Sequence, residues 1–171
     1  MKPISIAEAV ARAAESKIGI REEGPNKGNG LAPFFAADWY EPNGPTGPDN
    51  GYPWCAAFVC WCVQVAIAGR TVTFERPRTP SAWGLEAWSL AQDDSTWTLK
   101  APGPMDITRG DIVILRRISH VGIAVSGPDA EGYIQTVEGN TNQAGSREGD
   151  GVYLKRRHFS AFRSRIRFRD K

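Results

Sequence analysis

The sequence predicts an α+β domain in which N-terminal helices pack on an antiparallel sheet of about five to six strands. Three observations predict it. The first half carries helix signals, while the second alternates apolar and polar residues with the period of strands. Helical and extended segments are grouped, where βαβ units would interleave them. The chain has 171 residues, 41% of them hydrophobic, enough to bury one core without staples. We expect a single domain over 1–171, with a helical part at 1–92 and a sheet part at 105–171.

Helices are expected near 5–17, 30–39, 54–68 and 80–91. The first lies in MKPISIAEAVARAAESKIG, where Ser5 can serve as N-cap, Glu8 follows three residues later, and Gly19 ends the run. The same stretch lacks an apolar h-region and a small-residue cleavage site, so no secretory signal is expected and synthesis in the cytoplasm is. Proline, glycine and asparagine make 40–53 a loop. Residues 54–68 lack a polar face and should form a central buried helix, with Pro53 at its start and Asp49 or Asn50 just upstream. That stretch contains Gln64 and is too short to span a bilayer.

Strands are expected at Asp111–Arg116, His120–Ser126, Gly132–Glu138, Val152–Arg156 and Phe162–Arg169. In the last, Phe162, Ile166 and Phe168 share one face, and Arg163, Arg165, Arg167 and Arg169 share the other. Net charge is +2, but residues 151–171 carry eight Lys or Arg against Asp170 alone. A cationic strand of this kind reads first as a solvated edge that discourages aggregation. Its sharper reading is a patch that holds anionic envelope polymers.

Cys55, Cys60 and Cys62 lie too close along one helix to bridge one another without distorting it, and their odd number excludes a full disulfide framework. Zinc fits poorly, because there is no C-x-x-C pair and the two histidines are far apart in sequence. Position separates the three thiols. Cys55 falls in the first helical turn, among unpaired N–H groups and the positive end of the macrodipole, which favours a thiolate. Cys60 and Cys62 fall in the apolar interior and read as packing residues.

A thiolate nucleophile needs a base that can return a proton to a leaving amine, and histidine suits this at neutral pH. In Ile118-Ser-His-Val-Gly-Ile-Ala-Val125, His120 shares a face with Gly122 and Ala124, two minimal side chains beside which another backbone can approach closely. If this strand and Tyr133–Asn140 pair symmetrically about Asp129, Val121 faces Val137 and His120 faces Glu138, with Asn140 within diagonal reach. A carboxylate or amide there would fix the tautomer and orientation of the imidazole. A slip of one residue would turn Glu138 to the other face. His158, in the basic run Lys155-Arg-Arg-His, reads as structural or surface.

Four pieces, Tyr52-Pro-Trp-Cys-Ala-Ala-Phe58, Arg109-Gly-Asp-Ile-Val113, Ser119-His-Val-Gly-Ile123 and Val137-Glu-Gly-Asn-Thr141, together resemble the CHAP family. This family comprises cysteine- and histidine-dependent amidohydrolases/peptidases within the papain-like NlpC group. The resemblance covers roughly residues 50–142 as a set of four. It implies a papain-like α+β fold, peptidoglycan as substrate, Cys55 as nucleophile, His120 as base, and Glu138 with Asn140 as orienting groups. The oxyanion would be held by the Cys55 backbone N–H and a second donor, for which Asn50 and Tyr52 are the candidates. No cofactor is required. Calcium, which some members bind through acidic residues just before the cysteine, finds only Asp49 and Asn50 there.

Trp54, Trp83 and Trp88 are candidates to line a substrate groove, with core packing the better reading for each. The reading most similar in kind is a compact phage or prophage endolysin, released by a holin to act on the wall. A secreted antibacterial effector with the same chemistry is the nearest alternative, and an amide or acyl transferase on the same fold a further one. Peptidoglycan is the expected partner, a monomer the expected state, and no nucleic-acid partner is expected.

Overall fold

The structure, a computed structural model, describes residues 4–38 and 52–169. Most of the loop expected at 40–53 lies outside the described residues, as do Asp49 and Asn50. Four α-helices precede the sheet: α1 (Ile6–Glu15), α2 (Ala32–Asp38), α3 (Cys55–Ile67) and α4 (Ala82–Leu90). Six strands follow: β1 (Thr96–Lys100), β2 (Ile112–Leu115), β3 (Val121–Ala124), β4 (Tyr133–Thr141), β5 (Gly151–His158) and β6 (Phe162–Phe168). They form one antiparallel sheet in the order β1-β6-β2-β3-β4-β5. The chain is thus α+β, with helices first and an antiparallel sheet after. No described helix is long and apolar enough to cross a membrane.

Local chemistry accounts for the helix starts. Ser5 accepts the Glu8 N–H at 3.0 Å to open α1, and Ser81 accepts the Gly84 N–H at 3.1 Å to open α4. By contrast, α3 begins at Cys55 behind Trp54, with no described side chain capping it. Its residues Ala56, Phe58, Val59, Cys60, Cys62 and Val63 are all buried, so α3 lies at the centre of the main core, between α1, α2 and the sheet. Only toward its C-terminal end do Gln64 and Val65 emerge. Arg109 fastens α1 to the sheet: its guanidinium donates to Glu15 (2.7 Å), Glu8 (2.8 Å) and the Val125 carbonyl (2.8 Å).

Both faces of the sheet are covered. Ile112, Ile114, Ile123, Val137 and Ile166 point to the helices, while Val113, Leu115, Ala124, Ile134 and Phe162 form a smaller cluster with Ile107 on the far face. Phe162 therefore departs from the expected alternation. Pairing between β2 and β6 shifts by one residue between Ile114 and Leu115, and that bulge turns Phe162 to the face opposite Ile166 and Phe168.

The arginine face also differs from expectation. The unpredicted strand β1 pairs with β6 from Thr96↔Phe168 to Lys100↔Ser164, so β6 is an interior strand and not an edge. Arg165 is only 1% exposed, bonded to the Asp106 and Trp97 carbonyls with its guanidinium over the Trp97 ring. Arg167 grips both carboxylate oxygens of buried Asp111, at 2.8 and 2.7 Å, and Arg163 pairs with Glu86. Acids from distant segments thus meet all four cations, Arg165 standing 4.0 Å from Asp111. Arg169 approaches Asp94 at 3.9 Å on the surface.

The β3–β4 hairpin settles the register. Ile123 faces Val137 and Ala124 faces Thr136, two residues further along than symmetry about Asp129 would give. The cause is that Asp129 opens the turn and does not centre it. Its carbonyl accepts the Gly132 N–H at 3.0 Å, and its side chain accepts the Glu131 and Tyr133 N–H groups. A two-residue shift preserves which face each side chain occupies.

Candidate active site

Three elements converge at the N-terminal end of α3. Cys55 begins that helix and is almost wholly buried. Gly139 of β4 lets the helix come this close: a Cβ there would stand 2.8 Å from both Phe58 Cβ and Trp54 Cζ3. An uncapped helix start leaves backbone N–H groups of its first turn aimed outward, the arrangement that binds developing negative charge.

His120 immediately precedes β3 and is fully buried. Its Nε2 lies 2.9 Å from Glu138 Oε2, while its Nδ1 has no hydrogen-bond partner among the described residues. Burial disfavours the imidazolium, but the interactions with Cys55 and Glu138 outweigh it and raise the ring to about 9. With Nε2 committed to Glu138, it is Nδ1 that remains for the sulfur. The register shift places Glu138 beside Gly122 and diagonal to His120, where the absence of a side chain at Gly122 leaves it room: a Cβ there would lie 2.6 Å from Glu138 Cγ.

Glu138 is the most heavily bonded group of the site. Thr136 Oγ1 donates to its Oε1 at 2.6 Å. Arg157, on β5, donates through Nε to Oε1 at 2.9 Å and through Nη2 to Oε2 at 2.6 Å. Burial alone would raise this carboxyl, but Arg157 and His120 overcome it and hold it at about 2. Sequence reasoning missed Arg157. It stands in a basic run without an acid near it in sequence, and only the β4–β5 pairing brings it to Glu138.

Asn140 does not reach the imidazole, which corrects its expected role. Left-handed at φ 55°, it sits where β4 gains one residue against β5, and this bulge turns its side chain toward α3. With its amide oriented by its neighbours, it accepts the Trp54 N–H at 3.3 Å and donates to the Gly149 carbonyl at 3.1 Å. It braces the residue before the nucleophile. Tyr52 is likewise spoken for: its hydroxyl donates to Asp38, 2.7 and 2.5 Å from the two oxygens, which leaves no proton for an oxyanion. Burial raises Asp38 to about 6 against that hydrogen bond. Asn50, the other oxyanion candidate, lies outside the described residues.

The remaining sequence candidates fall away from the site. Cys60 and Cys62 are fully buried, and burial pushes the first up to about 12 and the second well above its ordinary value. Trp54 is buried against Phe34 with its indole N–H on Glu22 at 2.7 Å, so it packs and does not line a groove. Trp88 borders a cavity beside Ile67 at the far end of α3, about 18 Å along the helix axis from Cys55. Trp83 is exposed beside Arg163. His158 bonds Ser160 and packs on Phe159.

Next to the Asn140–Trp54 contact opens a cavity of about 710 Å3, bounded by Glu22, Asn26, Asn140, Glu148, Asp150 and Tyr153 among others. Three of these are carboxylates, and among the described residues no cation lines it.

Comparison with known proteins adds one finding. The family model described as the CHAP domain matches residues 47–140, a span that contains Cys55, His120, Glu138 and Asn140 and stops short of Arg157. No curated protein matches the chain significantly.

Proposed function

The chain belongs to the CHAP domain family, and from that premise we propose that this peptidoglycan hydrolase cuts an amide bond of the wall peptide by Cys55–His120 nucleophilic catalysis. One observation carries the reading: the buried imidazole commits Nε2 to Glu138, so that its free Nδ1 is the nitrogen left to serve the Cys55 thiol at the start of α3. Nucleophile, base and orienting acid are the three roles that acyl transfer requires.

In the proposed course, His120 holds the proton drawn from Cys55 as an imidazolium, and the sulfur attacks the amide carbonyl carbon as the thiolate. The resulting oxyanion is stabilised by the Cys55 backbone N–H at the uncapped helix start. Collapse breaks the C–N bond, and the imidazolium gives its proton to the departing amine. A thioester remains on Sγ. Water, deprotonated by the same imidazole, attacks that carbonyl and releases the acid, returning the thiol. Glu138 stays ionised throughout and holds the ring. The 710 Å3 cavity does not include Cys55 or His120, but its wall residue Asn140 contacts Trp54, the residue before the nucleophile, and its carboxylates suit an amine-bearing stem that extends from the site.

Purified peptidoglycan incubated with the protein and with Cys55→Ala tests the proposal, with new termini assigned by mass spectrometry. Free L-alanine amino groups identify an amidase, and cleavage within the stem or crosslink identifies an endopeptidase. Cys55→Ala should release neither. Equal digestion by Cys55→Ala overturns the mechanism.

A further inference from the structure

We propose that Arg157 is a positioning residue of the reaction: its guanidinium clamps both oxygens of Glu138 and thereby holds the carboxylate charged and turned to His120 Nε2, which leaves Nδ1 for Cys55. This inference rests on the Cys55–His120 reading and goes beyond it, because Arg157 lies outside the span the family model covers.

The geometry is that of a fork. Nε and Nη2 meet Oε1 and Oε2 at 2.9 and 2.6 Å, and the same Oε2 receives His120 Nε2 at 2.9 Å. A fork fixes the carboxylate plane, where a single hydrogen bond would let it swing. Nη2 also donates to the Gly145 carbonyl at 3.2 Å, so the loop after β4 covers the guanidinium and keeps it in place.

Without the clamp, Glu138 would be a buried carboxylate supported by Thr136 and the imidazole alone. Among the described residues, the charged or titratable groups that face it are His120 beside β3, with Cys55 beyond the ring on α3, and Arg157, Lys155 and Tyr153 on β5, the last opposite Glu138 with its hydroxyl given to Asp150. Lys155 spends its ammonium on the Asn142 and Gln143 carbonyls and does not touch the carboxylate. Removing Arg157 thus removes the one guanidinium that offsets burial. Glu138 would then take up a proton at a higher pH, and a neutral acid no longer pins the ring.

The test is a double-mutant cycle in the full chain, with Arg157→Met, Glu138→Gln and the pair, read as kcat/KM on purified peptidoglycan across pH. Arg157→Met should lower kcat/KM about tenfold or more near neutral pH and move the acidic limb of its profile up by about one unit. In the Glu138→Gln background the same substitution should cost almost nothing further, because Arg157 acts through Glu138. Arg157→Lys keeps the charge without the fork and should fall between wild type and Arg157→Met. A purely structural Arg157 would lower activity by the same factor in both backgrounds and at every pH, and that result overturns the proposal. If Arg157→Met does not fold, the Arg157→Lys profile decides: an acidic limb unmoved from wild type overturns it equally. The rate of Cys55 alkylation by iodoacetamide, followed against pH, needs no wall substrate and keeps the two readings apart. A Cys55→Ala protein that still digests peptidoglycan sinks the underlying mechanism. A dead Cys55→Ala beside an unaltered Arg157→Met alkylation profile sinks the clamp alone.

Discussion

At the scale of single residues, the proposed activity and its pH response turn on the pairing of His120 with Glu138. Glu138 is held at about 2 against an ordinary 4.5. Its charge therefore stabilises the fold fully above about pH 4.5, and that contribution is lost as pH falls through 2. His120 moves the other way, from 6.5 to about 9, so its contribution is complete below 6.5 and lost as pH rises through 9. Glu138→Gln should consequently have a lower Tm than wild type at pH 6, with the gap closing as the solution is acidified toward pH 2. Thermal melts of both proteins across that range check this. The same substitution should reduce kcat by about 10²–10³-fold, since a ring without its orienting carboxylate populates the wrong tautomer.

At the scale of elements, two close approaches set the geometry. A methyl group at Gly139 would collide with Phe58 and Trp54, so Gly139→Ala should push α3 off β4 and destabilise the protein by about 1–3 kcal/mol in urea unfolding. A methyl group at Gly122 meets Glu138 instead, so Gly122→Ala should cost activity about tenfold or more through displacement of the carboxylate. The faces of these strands were legible from alternation: His120 and Glu138 share a side whether the hairpin is symmetric about Asp129 or slipped by two residues. Which residues stand directly opposite was not legible, because it depends on Asp129 opening its turn. Neither was the role of Asn140, since an inserted residue in β4 leaves no trace in the alternation of polar and apolar side chains. Arg157 was hidden for a related reason, as its partner is chosen by strand pairing and not by sequence neighbourhood.

Across the whole molecule, the division into helices and then an antiparallel sheet was legible, whereas the fate of its charge was not. The alternating arginines of β6 suggest a cationic surface, yet β1 covers their strand and Asp111, Glu86 and the Asp106 carbonyl receive them. The signal for β1, Thr96-Trp-Thr-Leu-Lys100, is a short alternation next to two aspartates and is weak by itself. Asp111 is the hinge of this internal charge. Asp111→Ala would strand Arg165, buried beside it, and release Arg167, so a loss of about 3–5 kcal/mol is expected from denaturant titration.

The groups of the proposed site come from stretches of chain that are strung widely apart, with Cys55 on α3, His120 before β3, Glu138 on β4 and Arg157 near the end of β5. During synthesis the thiol emerges from the ribosome well before the guanidinium. On the proposed mechanism, a nascent or clipped product that ends short of β5 carries Cys55, His120 and Glu138 without the guanidinium that would set their geometry, so competence would follow translation of that strand.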